Sequence, residues 1–270
     1  VARAPAEPSP DAGPGARRGQ TSLTTVGIVW RRTDWRETSR IVALLTRDHG
    51  RVTGLAKGAH RPDSTFLGRL DFLNEVQATF SADRGGLRLL LRVQLLRERR
   101  ALRRPARFLA ASHLAWLCDF AMQSDRPEPG IYDLLLGGLN LLERCPEAAI
   151  PRIVLGLELR YLDQLGALPD LDHCADCGER LGDGAFRSGD HPGLACRRHA
   201  GLPRHAVGEA SLALLRQLRS TPGREWPDLE PAGDPRLAAA LPAAWLAAAT
   251  EQRARLRNLV FERNPAPPAG

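Results

Sequence analysis

Between Thr24 and Leu96 the chain crowds five strand-like runs into about 75 residues, and this density limits the fold more than any other feature. The runs are TTVGIVWRR (24–32), SRIVALLT (39–46), GRVTGLAKG (50–58), LNEVQATFSA (73–82) and LRLLLRVQLL (87–96). In the fourth, Val76, Ala78 and Phe80 fall on one face at period two, as a half-buried strand requires. Leucine and arginine also suit a helix in the fifth, but the turn signal DRGG (83–86) ahead of it favours a strand. Five short strands with one longer connection predict a small closed Greek-key barrel of the oligonucleotide-binding type. An SH3-like barrel is the generic alternative, and strand count alone does not separate the two.

Pro105 marks a change of period. Apolar residues recur at helical spacing over 105–123, 130–145, 148–168 and 207–220, and Asp234–Pro235 can open a fifth helix over 236–249. Trp226 falls in a predicted loop, and residues 250–262 read as a basic last segment through Arg253, Arg255 and Arg257, with Arg263 just beyond. The Pro-, Gly- and Ala-rich ends, 1–20 and 263–270, read as disordered tails. The expected organisation is therefore α+β, with a five-stranded barrel over 21–104. An α-helical domain over 105–171 and 202–262 follows, interrupted by an insert at 172–201.

Charge is placed unevenly. Residues 26–104 hold 17 Lys+Arg against 8 Asp+Glu, whereas residues 106–270 hold 18 against 21. A basic barrel on a mildly acidic helical half points to a polyanionic partner at the barrel. The loop GLAKGAHRPDSTFLGRL (54–70) contains Lys57, the single lysine of the chain, together with His60, Arg61 and Arg69. Glycine beside cations makes a flexible loop that can set N–H groups and charge against phosphates, although a solvated connection explains the same residues. Trp30 lies in an apolar run and is expected in the core.

The insert reads HCADCGERLGDGAFRSGDHPGLACRRHAG (173–201). A CxxC pair, Cys174 and Cys177, precedes Gly178, and a CxxH pair, Cys196 and His199, follows. Such pairs can close four ligands tetrahedrally on Zn²⁺. His173, His191 and His205 compete for the fourth position. No acid or base residue accompanies the pairs in the patterns of a zinc deaminase or a zinc protease, so the expected metal is structural. Phosphate-loop and nucleophile-elbow patterns are absent from the sequence. His113, Cys118 and Cys145 sit in apolar helical patterns and read as core residues. An odd count of five cysteines speaks against a secreted disulfide framework, and no apolar run reaches 18 residues. A cytoplasmic protein without membrane contact is expected.

Three elements stand out: Trp35, Glu37, Ser39, Arg40, Ile41 and Val42; Gly50, Arg51, Val52, Ala56, Lys57, Gly58, Ala59 and Arg61; and Cys174, Cys177, Gly178 and Cys196. In these the chain resembles the DNA repair protein RecO family. The resemblance covers about residues 24–262 and is firmest over 27–96 and 153–201. His199 departs from the cysteine that metal-bearing members of the family have there, and histidine is a competent zinc ligand.

The resemblance implies a bacterial, nucleoid-associated, non-enzymatic recombination mediator. Such a protein binds single- and double-stranded DNA and anneals strands. It partners with RecR, contacts the single-stranded-DNA-binding protein and helps load RecA. Phosphate contacts are then expected from Arg36, Arg40, Arg51, Lys57, Arg61 and Arg69. Trp35 is placed either to stack a base or to close the barrel end. The competing classes are a zinc-dependent nucleic-acid-modifying enzyme and a zinc-stapled protein-interaction adaptor.

Overall fold

The computed structural model describes residues 22–83, 87–124, 126–182, 184–188, 190–202, 205–252 and 255–262. Strands β1 (Leu23–Trp35), β2 (Ser39–Thr46), β3 (Gly50–Ala56), β4 (Glu75–Phe80) and β5 (Arg88–Arg97) close into one barrel in the order β1-β2-β3-β5-β4. All five fall on the predicted runs, and residues 84–86 of the expected last turn lie outside the described residues. Strand β1 is long enough to serve two neighbours. Its first half pairs antiparallel with β4 from Leu23↔Phe80, and its second half with β2 through to Trp35↔Ser39. A bulge between Val29 and Arg31 adds the curvature that this double pairing needs. A short parallel contact, Gly54↔Arg88 and Leu55↔Leu89, seals the barrel.

Alternation along the strands fills the interior with Val29, Val42, Leu44, Val52, Val76, Ala78, Phe80, Leu90 and Val93. The long connection between β3 and β4 is more than a loop. Its Ala59, Phe66 and Leu70 join the same interior cluster, and successive turns such as Arg61 N–H to Gly58 O (3.1 Å) and Arg69 N–H to Phe66 O (3.1 Å) fix its path. The segment expected to be a flexible cradle is thus a plug for one end of the barrel.

Helices α1 (Pro105–Ala121), α2 (Pro129–Arg144) and α3 (Ile150–Gln164) follow, each with proline in its first turn, where the missing N–H costs nothing. The insert supplies β6 (Ala185–Arg187) and β7 (Leu194–Ala195) of a small sheet that β8 (His205–Val207), beyond the expected insert boundary, completes. Then come α4 (Glu209–Ser220), α5 (Pro235–Ala238), α6 (Ala240–Thr250) and α7 (Arg255–Glu262). The single fifth helix expected over 236–249 is split at Ala239. Pro242 cannot donate an N–H to the carbonyl one turn back, so continuous helix is lost there. Asp234 does open α5, accepting the Arg236 N–H at 2.8 Å.

Trp226 departs further from expectation. It sits in a 3-10 turn, Gly223–Asp228, and is only 1% exposed. Its ring lies flat on α3 over Gly156, where a Cβ would stand 2.7 Å from the indole, and its Nε1–H donates to Leu218 O at 3.3 Å. Arg257 departs as well: in place of a basic tail, it is buried against Glu158 of α3. Arg253 and Arg263 lie outside the described residues.

Barrel and helices share a core. Ile28 and Trp30 of β1, Leu45 of β2 and Leu73 pack with Leu102 and the apolar faces of α1, α2 and α3. Several ionic ties reinforce the contact, two groups of them centred on Asp119 and Arg99. Asp119, 6% exposed, receives Arg31 Nη2 at 2.9 Å and Arg51 Nη1 at 3.0 Å. Arg99, whose side chain has no exposed surface, reaches Glu143 at 2.7 Å and Glu75 at 3.4 Å.

Candidate nucleic-acid edge and metal centre

Five of the seven residues singled out at the barrel meet at one edge. The β1–β2 hairpin carries Trp35 and Arg36 at its tip and Arg40 opposite Asp34, while β2–β3 pairing sets Arg40 beside Ala56, one residue before Lys57. The hairpin is fastened to the plug. His60 N–H donates to Thr38 O at 3.0 Å, and His60 Nε2 lies 2.9 Å from Asp34 Oδ1. Arg40 Nε donates to that same oxygen at 2.9 Å. The bonded Arg40 guanidinium holds the Asp34 carboxyl below the usual aspartate range, with His60 helping, so the carboxylate stays charged and the hairpin stays pinned. Lys57, Arg61 and Arg36 are exposed, and Trp35 is 47% exposed. Arg36 occupies the left-handed region at φ 57°, which turns the tip sharply.

Arg51 and Arg69 are placed differently. Arg51 lies at the far end of β3 and is bound to Asp119, and its N–H donates to Gln123 O at 3.1 Å. Arg69 Nη1 donates to Val93 O at 2.9 Å, tying the plug to β5. Arg51 thus ties the barrel to α1, and the exposed Arg69 ties the plug to the barrel wall, uses that sequence spacing does not reveal.

The insert brings Cys174, Cys177, Cys196 and His199 together, with their ligand atoms all within 4.8 Å of one another. Cys177 Sγ lies 3.9 Å from Cys196 Sγ, and His199 Nδ1 lies 3.3 Å from Cys196 Sγ and 3.8 Å from Cys174 Sγ. Ligands about 2.0–2.3 Å from a tetrahedral ion have separations of this size. Two turns create the group. Gly178, at φ 69°, lets its N–H return to Cys174 O at 2.9 Å, and His199 N–H returns to Cys196 O at 3.0 Å. The competing rings are engaged elsewhere: His173 Nδ1 lies 3.0 Å from Asp170 Oδ2, and His191 Nε2 lies 3.2 Å from Asp176 Oδ1. His205 is exposed in β8. Desolvation pushes the Cys174 and Cys196 thiols up, but the surrounding backbone amides outweigh it and lower both below the ordinary cysteine value. The Glu179 amide lowers the Cys177 thiol, but desolvation and the neighbouring Cys174 and Cys196 sulfurs outweigh it and raise that thiol. Three sulfurs and one imidazole suit a borderline-soft divalent ion.

Residues 21–99 match the family description "Recombination protein O N terminal", and residues 102–234 match "Recombination protein O C terminal". The chain belongs to the RecO family. The DNA repair protein RecO of Exiguobacterium sibiricum is 32% identical over 182 residues, which span 67% of this chain and 72% of that protein. RecO of Bacillus pumilus is 33% identical over 179 residues, 65% of this chain and 67% of that protein. RecO of Rhodopirellula baltica is 31% identical over 204 residues, 73% of this chain and 75% of that protein. The RecO N-terminal unit is an OB fold, in keeping with the closed five-stranded barrel found here. Among the described residues, no helix is long and apolar enough to cross a membrane.

Proposed function

We propose that this chain is a non-enzymatic recombination mediator that binds single- and double-stranded DNA along the edge formed by Trp35, Arg36, Arg40, Lys57 and Arg61. The observation that carries the reading is convergence: two segments some twenty residues apart are pinned together through Asp34, which holds the half-buried Arg40, and the cations of Arg36, Lys57 and Arg61 stay exposed on them. Sequence-independent phosphate contact follows from such an arrangement, with Trp35 available to a base. Arg51 and Arg69 belong to the frame that supports the edge. Membership of the RecO family supports extending the reading to strand annealing, RecA loading and partnership with RecR and the single-stranded-DNA-binding protein. A bacterial cytoplasmic setting around the nucleoid fits this role.

The metal of the Cys₃His group is taken to be Zn²⁺ in a structural role. Four protein side chains fill a tetrahedral ion and leave no position for an activated water, which weighs against a zinc-dependent enzyme. Fluorescence anisotropy with labelled single-stranded DNA across a salt series tests the reading. Binding that weakens steeply with salt supports it, and no binding at low salt overturns it.

A further inference from the structure

A second surface lies along β1 where the barrel meets the helices. Trp30 packs its ring 5.6 Å from that of Phe72, and Phe72 packs 5.5 Å from Phe108, both pairs tilted. Exposure grows along this ladder, from 8% at Trp30 to an intermediate value at Phe72 and 42% at Phe108. The outermost ring is therefore rigidly backed and open to solvent, which single scattered surface aromatics are not.

The cations around it are in surplus. Asp71 holds both Arg32 (2.7 Å) and Arg103 (3.3 Å), and Asp119 holds both Arg31 and Arg51. Arg103 also reaches Glu98 (3.0 Å), which holds Arg100 as well (2.7 Å), so three carboxylates face five guanidiniums and net positive charge remains beside the rings. Arg31 also lies over the Trp30 ring at 5.7 Å, and exposed Arg104 precedes α1, one turn before Phe108. Exposed aromatic faces interleaved with arginine are what a single-stranded polyanion with flat bases recognises. Four residues of β1, about 13 Å at strand rise, separate Arg31 from Trp35, so this surface continues the edge described above.

We propose that Phe108, backed by Phe72 and Trp30 and flanked by Arg32, Arg103 and Arg104, is a stacking platform for a base of single-stranded DNA. The inference rests on the DNA-binding reading and extends it. A strand held at the hairpin tip runs along β1 and stacks one base on Phe108. A base locked in a duplex offers no free face, so the platform discriminates single strands from double strands.

The test is anisotropy with an oligo(dT) and a duplex of equal length, using Phe108→Leu and Phe108→Ala. Leucine keeps the apolar contact with Phe72 while removing the ring, so it separates stacking from folding. Both variants are expected to weaken oligo(dT) binding about tenfold and to leave duplex binding within twofold. Arg104→Ala is expected to lower the slope of log K against log salt by about one for the single strand. Unchanged oligo(dT) affinity in Phe108→Leu, with wild-type binding intact, overturns the platform and leaves the edge standing. Equal losses for oligo(dT) and duplex also overturn it. Loss of binding only in edge variants gives that surface to a protein partner, and no binding by the wild type removes the DNA reading itself.

Discussion

Arg257 closes on Glu158 with both guanidinium arms, Nε to Oε1 at 2.7 Å and Nη2 to Oε2 at 2.8 Å, inside the helical core. Glu158 is 1% exposed and also receives His113 Nε2 at 2.8 Å, so α1, α3 and α7 meet on one carboxylate. Burial alone would raise the Glu158 carboxyl, but Arg257 and His113 together hold it below the ordinary glutamate value. Removing one partner strands a buried charge. Arg257→Ala is expected to cost about 3–5 kcal/mol in denaturant unfolding. The lowered carboxyl sets the sign of the pH effect. Its contribution is complete above the unfolded glutamate value of about 4.3 and is lost as pH falls through the lower folded value. Acid unfolding of Glu158→Gln should accordingly be less steep below about pH 4.

Lys57→Ala combined with Arg61→Ala is expected to leave the unfolding temperature nearly unchanged, since both side chains are exposed. The slope of log K against log salt for DNA should fall by about one to two. An unchanged slope would move the contact away from this edge.

Freshly purified protein is expected to contain one zinc per chain by atomic emission. Chelation should raise hydrogen exchange around 172–201 while the barrel amides stay protected, because the metal orders a segment with little core of its own. His199→Cys should retain the metal, and Cys177→Ser should lose it. A chelated chain that keeps its full insert protection would contradict the stapling role.

Asp119→Ala removes the shared acceptor of Arg31 and Arg51 at the barrel–helix junction. A loss of about 1–3 kcal/mol is expected, with faster exchange at the start of β3, where Arg51 N–H meets Gln123 O. DNA affinity should not fall, because the substitution uncovers positive charge.

The barrel and the four-ligand group were legible because both are written in local pattern: period-two apolar runs, and paired ligands two residues apart. Arg51 was not legible, since its partner Asp119 is 68 residues away and nothing local marks the pair. Arg257 and Glu158, 99 residues apart, escaped for the same reason. Trp226 was assigned to a loop correctly in outline, yet its burial depends on the vacancy over Gly156, on a different helix. The plug shows another limit. Phe66 and Leu70 stand four residues apart, a helical spacing, but Gly58, Pro62 and Gly68 break any longer pattern around them, and only the open barrel end explains why they are apolar. Phe108 was visible as an apolar residue of α1, but sequence could not say that its ring stays outside.

The middle of β1 is buried on both faces, with Val29 in the barrel and Ile28 and Trp30 in the helical core. An excised barrel ending at residue 104 would present Ile28, Trp30, Leu45 and Leu73 to water as one sticky wall. Such a fragment should self-associate, and the intact chain should melt in a single transition spanning both halves. A pull on DNA held at the hairpin would be carried by β1 straight into the helices, making the strand a mechanical beam between grip and body.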